Sequence, residues 1–108
     1  MTESVTAFAS DFCVPADHPA LAGHFPGNPV VPGVLVLDRI LDAASAAAGR
    51  ELCATSIVQI KFLSPLLPGE TCRITGELGA MSLRFSAARG DTVIVRGALG
   101  IASAAATP

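Results

Sequence analysis

The sequence predicts an α+β fold in which a single antiparallel sheet wraps around one long helix. Three observations carry that expectation. Residues 33–48 form an apolar, alanine-rich run that stops at Gly49. Four strand-like stretches follow it, separated by Pro65, Pro68-Gly69, Gly79 and Gly90-Asp91. The chain is 51% hydrophobic and 15% charged over 108 residues, which suits one domain spanning 1–108.

The elements follow in order. Residues 4–14 alternate weakly between polar and apolar and predict a first strand, closed by Pro15. Residues 15–32 predict a loop. Within it Pro26, Pro29 and Pro32 each fix φ and remove a backbone donor. Phe25, Asn28 and Val31 precede them and are driven towards extended geometry. A helix therefore cannot begin before Pro32, and Pro32 suits the first helical turn. Residues 43–48 are rich in alanine, the best helix former. Gly49 supplies the left-handed stop, with Arg50 behind it. The helix is apolar on most faces, as expected of one enclosed by a sheet. Residues 52–64, 70–79, 81–89 and 92–102 predict four further strands, and the small, polar residues 102–108 a frayed tail. The chain holds no internal repeat and no linker.

Composition excludes several classes of function. A net charge of −2 lacks the basic footprint of a nucleic-acid binder. Arg39, Arg50, Lys61, Arg73, Arg84, Arg89 and Arg96 are scattered, so only folding could assemble a basic patch. Cys13, Cys53 and Cys72 form no Cys-x-x-Cys pair and no histidine cluster accompanies them. No metal or cofactor is expected, and the cysteines read as small buried apolar residues. With no signal pattern and no run of transmembrane length, the expected location is cytoplasmic. The excess of apolar residues predicts an interface, most simply a dimer.

The chemistry concentrates between His24 and Asp38. Histidine titrates near neutrality and suits a general base. A carboxyl group held protonated by burial suits a general acid. Between them, Gly33 opens the helix and exposes its amide without a side chain in the way. The unpaired amides of a first helical turn can receive an oxygen that gains negative charge. A second reading stands beside this one. His24 can be an ordinary loop histidine, and Asp38, Asp42 and Ser45 can form a solvated stripe with a weak ion pair to Arg39. Asp42, Arg39 and His18 are read as surface residues, and Phe25, Phe62, Leu63, Met81 and Phe85 as mostly core.

Gly23-His24-Phe25, Pro29-Val30-Val31-Pro32-Gly33 and Asp38 resemble the signature of the hot-dog-fold (3R)-hydroxyacyl-acyl-carrier-protein dehydratases, the FabA/FabZ-like family. Lys61-Phe62-Leu63-Ser64-Pro65-Leu66-Leu67-Pro68-Gly69-Glu70 resembles the family's strand-and-turn segment, in the expected order. The resemblance implies a hot-dog domain that dehydrates (3R)-hydroxyacyl-acyl carrier protein to the trans-2-enoyl product in fatty acid, polyene or related lipid synthesis. It implies His24 as base, Asp38 as acid partner and the Gly33 amide as donor to the thioester oxygen. It also implies that the Val30 carbonyl holds the imidazole tautomer, that Phe25 contacts substrate, and that some of Phe25, Phe62, Leu63, Met81 and Phe85 line an acyl tunnel, which the sequence does not separate from core. The partners it implies are an acyl carrier protein and a second copy of the chain, in a homodimer with shared sites or a higher oligomer.

Four features depart from the family pattern. Asp38 stands where many members carry Glu, as in the double-bond-isomerising branch and in the short dehydratases of aryl-polyene clusters. Arg39 replaces a small residue, and Asp42 a common Gln. The chain is shorter than typical members and is expected to lack their leading helix. Two alternatives remain at this point: a hot-dog acyl thioesterase, and a non-catalytic acyl-binding module.

Overall fold

The computed structural model describes residues 5–21 and 30–104. Five strands and one long helix follow in the order β1 (Thr6–Cys13), α1 (Gly33–Ala48), β2 (Leu52–Phe62), β3 (Thr71–Leu78), β4 (Ser82–Arg89) and β5 (Thr92–Ser103). A short 3-10 turn, Pro19–Leu21, interrupts the loop before the helix. The strands form one antiparallel sheet in the order β1-β3-β4-β5-β2. β3, β4 and β5 are consecutive hairpins, whereas β1 and β2 take the two edges. Helix α1 touches β1 and β3 near one edge and β2 at the other. The sheet therefore curls around the helix, as the element order predicts.

Helix α1 begins where its sequence lets it. Pro32 is the residue before the first helical one, at φ −59° and ψ 140°, one place earlier than the first-turn position expected. Its carbonyl accepts from the amides of Leu35 (3.0 Å) and Val36 (3.2 Å). Gly49 ends the helix at φ 70°. There the Gly49 amide donates to the Ala46 carbonyl and the Arg50 amide to that of Ser45.

Val36, Ile40 and Ala44 recur at helical spacing and are buried against the sheet. From the sheet side, Cys72, Ile74, Leu78, Leu83, Phe85, Ala87, Val95, Leu99 and Ile101 complete the core. On β3 and β4 they alternate, so each of these strands gives one face to the helix and one to solvent; β5 breaks the pattern at Ile94 and Val95, both buried, beside its register shift against Ala87 and Ala88. Gly76 leaves room on that inner face for the ring of Phe8, its register partner on β1.

Several residues differ from their expected burial. The helix is not enclosed all round, since Val34, Asp38 and Asp42 lie on an open face. Phe62 (53% exposed) and Leu63 (50%) were expected in the core but lie at and beyond the end of an edge strand. Met81 occupies the turn between β3 and β4 and is 76% exposed. Cys13 and Cys53, expected buried, are exposed on the two edge strands, and only Cys72 lies in the core. Burial pushes the Cys72 thiol up to about 11, with Asp11 adding to that rise and Arg89 opposing it. β2 ends at Phe62 because the amides of Leu63 and Ser64 both turn to one carbonyl, that of Ile94. β5 runs to Ser103, and the Ala104 amide donates to Glu51, so the tail is held further than expected.

Candidate active site

The two sequence segments that stand out meet in space. The Val31 amide donates to the Leu66 carbonyl at 2.8 Å, and both side chains are buried. This backbone bond clasps the segment before the helix to the loop that follows β2.

The loop itself is well held. Pro68 and Gly69 form the middle of a turn in which the Glu70 amide donates to the Leu67 carbonyl (3.2 Å). Gly69 sits at φ 84°, a conformation that favours glycine. Its amide donates to the Val14 carbonyl at 2.8 Å, anchoring the loop to the end of β1. Glu70 reaches back to accept from the Leu67 amide (2.8 Å) and pairs with Arg89 (3.1 Å). Arg89 also donates to the Pro65 carbonyl at 3.0 Å.

The clasp frames a cavity of about 480 Å³ beside the start of α1. Its walls include Val30, Val36, Phe62, Leu63, Leu66 and Ile94, so it is largely apolar. Gly33 lines it too. A Cβ on Gly33 would lie 2.7 Å from the Phe62 Cζ and 2.9 Å from its Cε1, so the ring rests directly on the helix start. Any larger residue here must displace that ring.

Pro32 carries no side-chain acceptor, and no side chain caps this helix end. The Gly33 amide is therefore one of the first-turn donors left without an intrahelical partner. Gly33 lines an apolar cavity, where a hydrogen bond to a developing oxyanion is worth more than in water.

Asp38 lies on the open side of α1, one turn beyond Val34, which is 71% exposed. Among the described residues it forms no hydrogen bond or ion pair, so the weak pair with Arg39 is absent. Nor does the polar stripe hold together. Ser45 is half-buried, and its Oγ accepts from the Leu52 amide at 3.0 Å, closing the turn into β2. Asp42 is exposed, and His18 and Arg39 are half-buried. The Arg39 Nε is buried without a hydrogen-bond partner among the described residues. His24 and Phe25 lie outside the described residues, so the distance from His24 to Asp38 is not part of this geometry.

Gly33 and Val30 thus stand together at the cavity, while Asp38 stands one turn and more along the helix. Sequence reasoning left open which of Phe25, Phe62, Leu63, Met81 and Phe85 would line a tunnel, and among the described residues Phe62 and Leu63 stand in the cavity wall. Among the described residues, no group of three or more His, Cys, Asp or Glu could hold a metal ion.

Comparison with known proteins adds a family to this geometry. The profile of an ApeI-like family, described as ApeI dehydratase, matches residues 1–98. A 3-hydroxyacyl-[acyl-carrier-protein] dehydratase FabZ from Symbiobacterium thermophilum is 33% identical over 84 residues, covering 71% of this chain and 59% of the relative. The corresponding FabZ of Acetivibrio thermocellus is 34% identical over 83 residues, covering 70% and 57%. The chain thus spans a little over half the length of these curated relatives. An uncharacterized protein from Erwinia carotovora subsp. atroseptica superposes with a TM-score of 0.80 at 30% identity, covering 96% of this chain and 89% of the other. The dehydratase heterocomplex ApeI:P of Xenorhabdus doucetiae gives a TM-score of 0.75 at 20% identity, covering 94% and 98%. A fluoroacetyl-CoA thioesterase, FlK, shares the same hot-dog fold at a TM-score of 0.71 and 19% identity, covering 95% and 90%.

Proposed function

We propose a function on one premise that the comparisons supply: the chain belongs to the ApeI-like dehydratase family. The reaction is removal of water from a (3R)-hydroxyacyl chain held as a thioester on acyl carrier protein, giving the trans-2-enoyl thioester. The observation that carries this reading is the uncapped Gly33 amide at the mouth of an apolar cavity. An acyl chain needs such a cavity, and an enolate oxygen needs such a donor.

The steps follow from the groups. His24 removes a proton from C2, and the electron pair moves towards the thioester carbonyl. The Gly33 amide stabilises the oxygen as it gains charge. The pair then returns to form the C2–C3 double bond, and the C3–O bond breaks. Asp38 supplies the proton with which the hydroxyl leaves as water. Val30 offers its carbonyl to the imidazole, selecting the tautomer that can accept at the other nitrogen. Phe25 and the cavity walls hold the chain.

An acid needs a protonated carboxyl, and burial is the usual means. The described residues of this protomer leave Asp38 open, and the cover we infer comes from outside it. A second copy fits that need. β2 is an edge strand whose Ile57 (69%) and Val58 (70%) are largely exposed, and Val34 lies open on the helix. A homodimer joined along these surfaces would bury them and place each Asp38 in a shared site. The reading places the protein in cytoplasmic lipid or polyene synthesis. Among the described residues, no helix is long and apolar enough to cross a membrane.

The test is incubation with a 3-hydroxyacyl-carrier substrate, followed by intact mass. Loss of one water by the wild type is expected. His24→Ala and Asp38→Asn should lower that rate about 10²–10⁴-fold while keeping the wild-type circular dichroism. Release of free carrier thiol instead would mean a thioesterase. Unchanged substrate from a folded protein would mean a binding module.

A further inference from the structure

Two charged side chains close one end of the core. Leu83, Phe85 and Ala87 are the buried row of β4, and Arg89 continues that row. Glu70 stands one residue before β3, in step with the buried Cys72 and Ile74. The two side chains are only 32% and 31% exposed. Charges so placed give up much of their hydration and need partners. What this pair holds therefore indicates its role.

It holds the loop between β2 and β3. Pro65 and Pro68 carry no backbone N–H, so the loop has few donors of its own with which to fix its shape. Its ends are tied by backbone alone. The Leu63 and Ser64 amides donate to the Ile94 carbonyl, and the Gly69 amide to that of Val14. The middle is left to side chains. Arg89 donates from one nitrogen, Nη1, to the Pro65 carbonyl (3.0 Å) and to Glu70 Oε1 (3.1 Å). The same Oε1 accepts from the Leu67 amide (2.8 Å).

These bonds fall on the residues either side of Leu66. Leu66 is buried, and its carbonyl receives the Val31 amide at 2.8 Å. Val31 in turn lies between Val30 and the Pro32-Gly33 helix start, and Val30, Val31 and Gly33 all line the cavity. One guanidinium nitrogen and one carboxylate oxygen thus fix the residue that holds the cavity's edge in place.

We propose that Arg89, with Glu70, is a positioning residue for the reaction. The pair sets the Leu66 carbonyl, and through Val31 it sets the Val30 carbonyl and the Gly33 amide. The mechanical link rests on the bonds alone, whereas its consequence for turnover rests on the function proposed above. A pair that only supported the fold would loosen the whole sheet when broken. A positioning pair loosens one segment.

Arg89→Met tests this in the full chain, because methionine keeps an unbranched apolar stem and removes the donor. The first readout is amide hydrogen exchange, residue by residue. Exchange at Val31 should rise at least about tenfold relative to Ile74, which lies within β3. The second readout is turnover of a carrier-borne 3-hydroxyacyl substrate. Misplacement by about 1 Å costs on the order of 10²-fold in rate, so kcat should fall about 10–100-fold with KM within about twofold of wild type. Both bonds leave one nitrogen, so a lysine ammonium, although one bond shorter, should restore part of both readouts in Arg89→Lys. Equal acceleration at Val31 and Ile74 overturns the proposal and makes the pair a general support of the sheet. So does unchanged exchange at Val31. A wild-type kcat in a protein whose Val31 amide is loosened, or a rise in KM alone, overturns it as well and leaves the dehydratase reading standing. If the wild type dehydrates nothing, the activity reading fails, and the ratio of exchange rates decides the mechanical link by itself.

Discussion

Gly33→Ala separates the stability of this protein from its proposed activity. The new methyl carbon would lie 2.7 Å from the Phe62 Cζ. Carbon atoms settle at about 3.5 Å or more, so the ring must retreat by about 0.8 Å. It can do so, because Phe62 is 53% exposed and only its far end is struck. Gly33 is also the first residue of a helix, where alanine restricts the unfolded chain at no conformational strain. That gain is about 0.4–1 kcal/mol and offsets the cost of moving the ring. The melting temperature should therefore stay within a few degrees of wild type. The cavity should not tolerate the change as well. A displacement approaching 1 Å at reacting groups costs on the order of 10²-fold in rate. Dehydration of a carrier-bound substrate should fall by about 10–100-fold. Phe62→Ala in the same chain removes the collision, so the two substitutions should couple by about 0.5–3 kcal/mol rather than add. Wild-type turnover by Gly33→Ala, or strictly additive effects in the double variant, would refute the claim that the ring seated on the helix start shapes the site.

Three further outcomes follow from the fold. Ile40 is fully buried between helix and sheet, and Ile40→Ala should cost about 2–5 kcal/mol in urea denaturation; a smaller loss would mean a site that collapses around the cavity. With a thiol reagent at pH 8, exposed Cys13 should react quickly and Cys72 only on unfolding, because burial holds its thiol protonated up to about 11. Fast reaction of Cys72 in the native protein would contradict its burial. Ile57→Asp, on the edge strand, should convert a dimer to monomers in sedimentation and abolish turnover, since the proposed site needs cover from a second copy; a variant that stays dimeric would place the interface elsewhere.

The helix was legible in the sequence to its ends, because Pro32 and Gly49 punctuate it and punctuation is local chemistry. The strands were legible as strands, but their neighbours were not. β2 follows the helix yet pairs with β5, so its apolar side chains have covering strands on one side only. That is why Phe62, Leu63 and Cys53 were misplaced in the core: residue type states a preference for burial, not the presence of something to bury against. At the candidate site, Gly33 announced itself through its position after proline. The bond from Val31 to Leu66 did not, because a backbone amide and carbonyl leave no mark on side-chain identity. Likewise Lys61 and Arg96 looked scattered until the register set them opposite each other.

The strand order also sets a sequence of events in time. Only the β3-β4-β5 meander is made of local hairpins, which close early because little chain entropy is lost in doing so. β1 must wait for β3, from which it is separated by the helix and β2, and β2 must wait for β5, from which it is separated by β3 and β4. The anchor from Gly69 to Val14 joins these late-pairing parts. During synthesis, a ribosome that has not yet released Thr92–Ser103 holds a chain whose β2 has no partner strand. The cavity beside the start of α1 is therefore among the last parts of the molecule to exist.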